Sequence, residues 1–164
     1  RRPSIRYIQL KIRSVMLMKK KLKLTIELVP ESSWHNNLRS LLPASAWDAL
    51  RKKVLADYNN ACALCGASGS LHCHEVWNYD DAKLVQTLTG CIALCALCHA
   101  VKHMGFSEMR SQDKKVEQII VHFMAVNGCD RKMFEDHRRE AFRVFEERSK
   151  HAWQVAIGDR IIPV

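Results

Sequence analysis

No apolar run in this chain of 164 residues approaches the roughly 20 residues that a membrane-spanning helix needs. Stretches such as Cys91–Leu94 and Ile119–Val121 are far too short, so a polytopic membrane protein is excluded. Glycine and proline are scarce, at six and four residues, which excludes a collagen. No period of about 20–50 residues recurs, which argues against a repeat array. Acidic side chains are missing from residues 1–24, which hold nine Lys and Arg residues. The rest of the chain carries 17 bases and 17 acids, so the formal net charge of +9 belongs entirely to that first segment. A pI near 9.4 is therefore weak evidence for a nucleic-acid partner by itself. With 48% apolar and 26% charged residues, the composition is that of a globular chain of one domain and a tail.

Three readings of the basic tail, residues 1–20, stand open. The native start is Met16 or Met18 and the preceding residues are foreign; or the segment is an arm on phosphate; or it is an Arg-rich organelle presequence. A secretory signal is not expected, because no apolar core follows the charges. Residues 21–60 are expected to supply a strand and a helix packing on a central module at 61–105. Residues 106–164 are expected to add helices and a strand to the same domain.

Seven cysteines, an odd number, fit poorly with a secreted disulfide framework. A reducing, cytoplasmic setting is expected instead. Cys62-x-x-Cys65 and Cys95-x-x-Cys98 have the spacing that lets two thiolates meet one tetrahedral ion, and together they predict a closed structural zinc site. Cys73, Cys91 and Cys129 are left over and read as packing residues.

Periodicity places the remaining elements. Leu22, Leu24, Ile26 and Leu28 alternate with polar residues over 21–29, as in a half-buried strand ended by Pro30. Ser45 reads as the cap of a helix over 45–58, with Trp47, Leu50, Val54 and Tyr58 at helical spacing and Asn59-Asn60 stopping it. Gly66, Gly69 and Ser70 mark a turn before a strand at Leu71–Trp77. Helices are predicted over 113–127, capped by Gly128, and over 130–150. Residues 152–157 alternate again, and a pairing of this strand with residues 22–28 is expected.

A second constellation lies inside the module. If a helix begins near Cys98, His99 and His103 share one face four residues apart, and His74 on a strand supplies a third imidazole. Three protein ligands leave positions for water or phosphate, as a catalytic ion requires. Lys102 beside them is a candidate phosphate contact. Trp77 is either a stacking residue for a base or a buried ring closing the hairpin.

The segment from Cys62 to Gly105 resembles the HNH nuclease family. The resemblance rests on Cys62-Ala-Leu-Cys65-Gly66, on His74-Glu75-Val76, and on Leu94-Cys95-Ala-Leu-Cys98-His99-Ala-Val-Lys102-His103. It implies an α+β fold with a ββα-metal core, a four-cysteine zinc site, flanking helices and a small terminal β-pairing. It places His74 as a metal ligand and Glu75 in the slot of the general base, with Gly90 in the slot of the family's middle Asn. In the alternative register Cys73 would be the ligand and His74 the base. The implied activity is metal-dependent hydrolysis of DNA phosphodiester bonds in a bacterial or phage cytoplasm. Structural zinc would be joined by Mg, Mn or another divalent ion on His74, His99 and His103. Two other readings stay open: a nucleic-acid-binding module of the same fold without the chemistry, and a zinc-stapled protein-interaction domain.

Overall fold

The computed structural model describes residues 21–162, and the three readings of the basic tail lie outside the described residues. A short 3-10 turn at Glu31–Ser33 is followed by α1 (Leu38–Leu41), α2 (Ala44–Asp57), β1 (Leu71–Asp80), β2 (Val85–Cys95) and α3 (Ala96–Lys102). Then come α4 (Met104–Arg110), α5 (Asp113–Asn127), α6 (Arg131–Ser149), β3 (Gln154–Ile157) and β4 (Arg160–Ile162). The arrangement is mixed α+β, with one four-stranded sheet in the order β1-β2-β3-β4.

The hairpin β1–β2 is antiparallel from Leu71↔Cys95 to Asp80↔Val85, and its register slips between Val76 and Trp77. Thr89 is the extra residue at the slip, and its hydroxyl donates to the Val76 carbonyl at 2.9 Å. That bond satisfies an acceptor that the broken ladder leaves over. β2 has no clean alternation, because its two ends bury different faces, so periodicity alone does not read it as a strand.

Helix boundaries follow local chemistry. α2 starts one residue before Ser45, with Pro43 rather than Ser45 at the cap. Asn59 and Asn60 adopt left-handed φ of 52° and 53° and end it. α5 spans the predicted residues, and Gly128 closes it with φ 55°. Asp130 caps α6 by accepting the Met133 N–H at 2.8 Å.

The C-terminal strand corrects one expectation. β3 pairs in parallel with β2, Val85↔Gln154 to Thr87↔Ala156, and not with residues 22–28. Residues 21–29 form no regular element, with a bend at Lys23–Leu24; Leu24 and Ile26 are buried, yet the segment joins no sheet among the described residues. Helix side chains take the place of a neighbouring strand. The N–H groups of Lys23 and Leu24 donate to Asn127 Oδ1 at 2.8 and 2.9 Å, and Asn127 Nδ2 returns to the Leu24 carbonyl at 2.8 Å. Ile26 N–H donates to His137 Nε2 at 2.9 Å, and Glu27 N–H to the Lys102 carbonyl at 3.0 Å. Alternation fixes which side chains face inward; it does not fix what the backbone bonds to. The core under this segment contains Leu24, Ile26, Val101, Met104, Ile119, Phe123 and Phe134.

These side-chain substitutes for a strand can be tested one at a time. Asn127→Ala removes the side-chain partner of four backbone groups, the N–H of Lys23 and of Leu24 and the carbonyls of Leu24 and Phe123, and is expected to lower stability by about 2–4 kcal/mol in urea unfolding. His137 must be neutral to accept from Ile26, and burial, helped by the Lys102 charge, holds its pKa below the ordinary histidine value. Its contribution is complete above about pH 6.5 and erodes as the pH falls below that. The urea midpoint is therefore expected to fall between pH 7.5 and 5.5, with a shallower fall in His137→Gln.

Candidate metal centres

The first centre begins in the loop between α2 and β1. A tight turn carries Cys62 and Cys65: Gly66 N–H donates to the Cys62 carbonyl and Cys62 N–H to that of Ala67, both at 2.9 Å. Gly66 takes φ 77°, where a side chain is disfavoured. Ala63 N–H donates to the Ala93 carbonyl at 2.8 Å, which ties the turn to β2. Cys95 closes β2 and caps α3, with its sulfur accepting from Cys98 N–H at 3.4 Å. The four sulfurs of Cys62, Cys65, Cys95 and Cys98 lie within 4.8 Å of one another, a group able to hold one metal ion. Cys65 and Cys95 sulfurs are 3.6 Å apart. Tetrahedral ligands at about 2.3 Å from a zinc ion stand roughly 3.8 Å apart, so the spacing fits.

The electrostatics of the four sulfurs are mixed, with Cys62 pulled toward the thiolate and Cys65 pushed up by burial. Burial works against the Cys62 thiolate, but neighbouring N–H groups, that of Cys65 foremost, bring its pKa down to about 6. Burial and the nearby sulfurs of Cys62 and Cys95 push Cys98 strongly up, which is what crowded thiolates do without a counter-charge. His122 Nε2, from α5, lies 3.1 Å from the Cys98 sulfur. With a proton on Nε2 this ring would disperse charge on a metal-bound Cys98 sulfur, and sequence spacing does not reveal the contact because His122 lies 24 residues away.

The second centre sits where β1 faces α3. His74 is buried on β1, His99 lies in α3, and His103 caps its end. One ring nitrogen from each of the three lies within 4.8 Å of the others. Their ring centroids are 5.5 Å (74–99), 5.1 Å (74–103) and 4.6 Å (99–103) apart. Burial first, then mutual repulsion among the rings, lowers His99 to about 3 and His103 to about 4. Both are neutral at physiological pH, the form in which imidazole binds metal.

The other site residues fall as follows. Lys102 is 5% exposed; its ammonium pairs with Glu27 and donates to Thr25 Oγ1 at 3.1 Å, so it faces inward rather than toward solvent. Glu75 Oε1 accepts the Leu38 N–H at the start of α1 at 2.7 Å, and Trp77 shares a side-chain hydrogen bond with it. Strand alternation sets Glu75 and Trp77 on the opposite face of β1 from His74. Burial raises the Glu75 pKa. Gly90 lies across from Val76, at the register slip. Cys73 and Cys91 contact each other on the hairpin; burial raises both, Cys91 to about 12, and none of the seven cysteines is in a disulfide.

Two residues at this centre escape sequence reasoning. His72 is exposed and stacks on His99, with centroids 4.7 Å apart and planes within 6°. Its i, i+2 relation to His74 on one strand was the available signal. Glu27 Oε2 faces His74 Nε2 at 3.3 Å, and nothing in the local pattern at residue 27 announces it.

No protein-family model, curated protein or solved structure matches this chain. None of the helices among the described residues is long and apolar enough to cross a membrane.

Cys98→Ser is expected to remove one metal equivalent per chain by elemental analysis. The thermal midpoint should fall by about 10 °C or more, because metal ligation of this kind contributes folding free energy directly.

Proposed function

We propose that this chain is a metal-dependent endonuclease of the HNH kind, cutting phosphodiester bonds in DNA. One observation carries the reading: three imidazoles, one from a hairpin strand and two from the helix that follows it, bring a ring nitrogen each to within 4.8 Å of the others. The order of hairpin and helix and the grouping of Cys62, Cys65, Cys95 and Cys98 support this reading, which takes its frame from the HNH resemblance. Four thiolates are a soft, tetrahedral donor set, so zinc is the ion assigned to them. Its task is structural, holding the start of α3 against the end of β2.

His74, His99 and His103 would hold a catalytic divalent ion, with magnesium, manganese, cobalt and nickel as the ions to test. Such an ion supplies Lewis acidity toward a phosphate oxygen when bound. The chain's own residues orient it and shape the approach. His72, exposed and stacked on His99, marks the side from which a substrate reaches the three rings. Lys102 acts through Glu27 in this reading, not on the phosphate. Glu75 has the raised pKa that suits a proton acceptor, and burial is its cause. Its carboxylate nonetheless sits on the far face of β1 with the Leu38 N–H. That position favours a second reading, a DNA-binding module that does not cut.

Nicking of supercoiled plasmid separates the two. The wild type is expected to nick with at least one of Mg, Mn, Co or Ni, and His99→Ala to lose at least 100-fold. Glu75→Gln is expected to lose less than His72→Ala, given the faces they occupy. A wild type that binds DNA and cuts under none of these conditions leaves the binding module; one that does neither ends both readings.

A further inference from the structure

The segment 21–29 raises a question that packing alone does not answer. Burial of Leu24 and Ile26 requires the segment to lie on the core. It does not require an acidic residue next to the three-histidine centre. Yet Glu27 is held there by independent tethers. Its N–H donates to the Lys102 carbonyl at 3.0 Å, Thr25 Oγ1 donates to its Oε1 at 3.2 Å, and the Lys102 ammonium pairs with it. Its other oxygen, Oε2, is thereby aimed at His74 Nε2, 3.3 Å away. Lys102 and His74 side chains are only 7% and 6% exposed, so the interaction is shielded from water on two of its three sides.

We propose that Glu27 is the orienting carboxylate of the three-histidine metal centre. It accepts a hydrogen bond from His74 Nε2–H, which would leave Nδ1 as the nitrogen able to hold an ion, and Lys102 fixes the carboxylate in that position. The chemistry is that of a carboxylate, an imidazole and a divalent cation in series. The carboxylate fixes the tautomer, holds the ring plane and strengthens the imidazole as a donor. It also brings the negative charge that a buried dication beside a buried ammonium needs. Glu27 is thus a positioning residue, supplied by a part of the chain 47 residues before its histidine and outside the motif of cysteines and histidines. The inference rests on reading the three imidazoles as one metal centre; it does not depend on DNA being cut.

Cobalt titration of the zinc-loaded full chain tests it. Zinc on the four cysteines is spectroscopically silent, so d–d absorption reports the histidine centre. The wild type is expected to bind one cobalt there. Glu27→Ala is expected to bind it at least tenfold more weakly, and Glu27→Gln, which keeps the shape and loses the charge, to fall between the two. Zinc content at the cysteine group should be unchanged in both variants, which separates loss of orientation from general unfolding. In nitrogen-15 spectra of the fully zinc-loaded wild type, His74 is expected to carry its proton on Nε2. Equal cobalt affinity in the wild type and both variants, or a His74 protonated on Nδ1, overturns the role of Glu27 alone. A wild type that takes up no cobalt overturns the metal centre itself, and the role of Glu27 with it.

Discussion

The placement of α3 against the β1–β2 hairpin is the constraint on which the rest depends. Cys95 sets it: this residue ends β2, caps α3 through its sulfur and contributes that sulfur to the four-cysteine group. A helix of seven residues has little stability of its own, since helix nucleation is costly and short helices are marginal in water. Its direction must come from what holds its ends. At the N-terminal end that is the sulfur cluster, and at the C-terminal end it is the docking of Lys102 and Met104 into the core. His99 and His103 inherit their positions from those two anchors, and His74 meets them because β1 is bonded to the same strand that ends in Cys95.

The two centres manage charge in opposite ways. In the sulfur group, N–H donors from its own turn draw Cys62 toward the thiolate, and His122 lies beside the Cys98 sulfur. In the histidine group, His99 and His103 are neutral, because burial and repulsion hold their pKa values at about 3 and about 4. Its nearest ions, Glu27 and Lys102, compensate each other. His74 and Lys102 together hold the Glu27 pKa at about 2 against the upward pull of burial. The carboxylate is therefore ionised throughout the range in which the imidazoles are free to bind a cation.

Much of this was legible in the residues because it depends on spacing along short segments. Two C-x-x-C pairs predict a common ion, and i, i+4 histidines predict a shared face; the sulfurs and rings are found close together. The α5 and α6 boundaries follow from Gly128 and Asp130, local signals that need no tertiary partner. What escaped were contacts made across the fold. The pairing of β3 with β2 escaped because alternation is silent on the choice of neighbour. The inward turn of Lys102 escaped because the acid that claims it lies 75 residues earlier. The face of Glu75 escaped because motif position names a slot, whereas the strand's alternation decides which way its side chain points.

Residues 24 and 26 are made early in synthesis, but their backbone partners, Asn127 and His137, lie 103 and 111 residues further on. The apolar side of this stretch must wait uncovered while the cysteine turn, the hairpin and α3 emerge and close locally. The four cysteines lie less than 40 residues apart, whereas the bonds to the backbone of residues 24 and 26 span more than 100 and carry the larger loop-closure cost. A nascent protein halted before α6 would hold the ligands of both groups and every tether of Glu27, yet lack the His137 acceptor for Ile26.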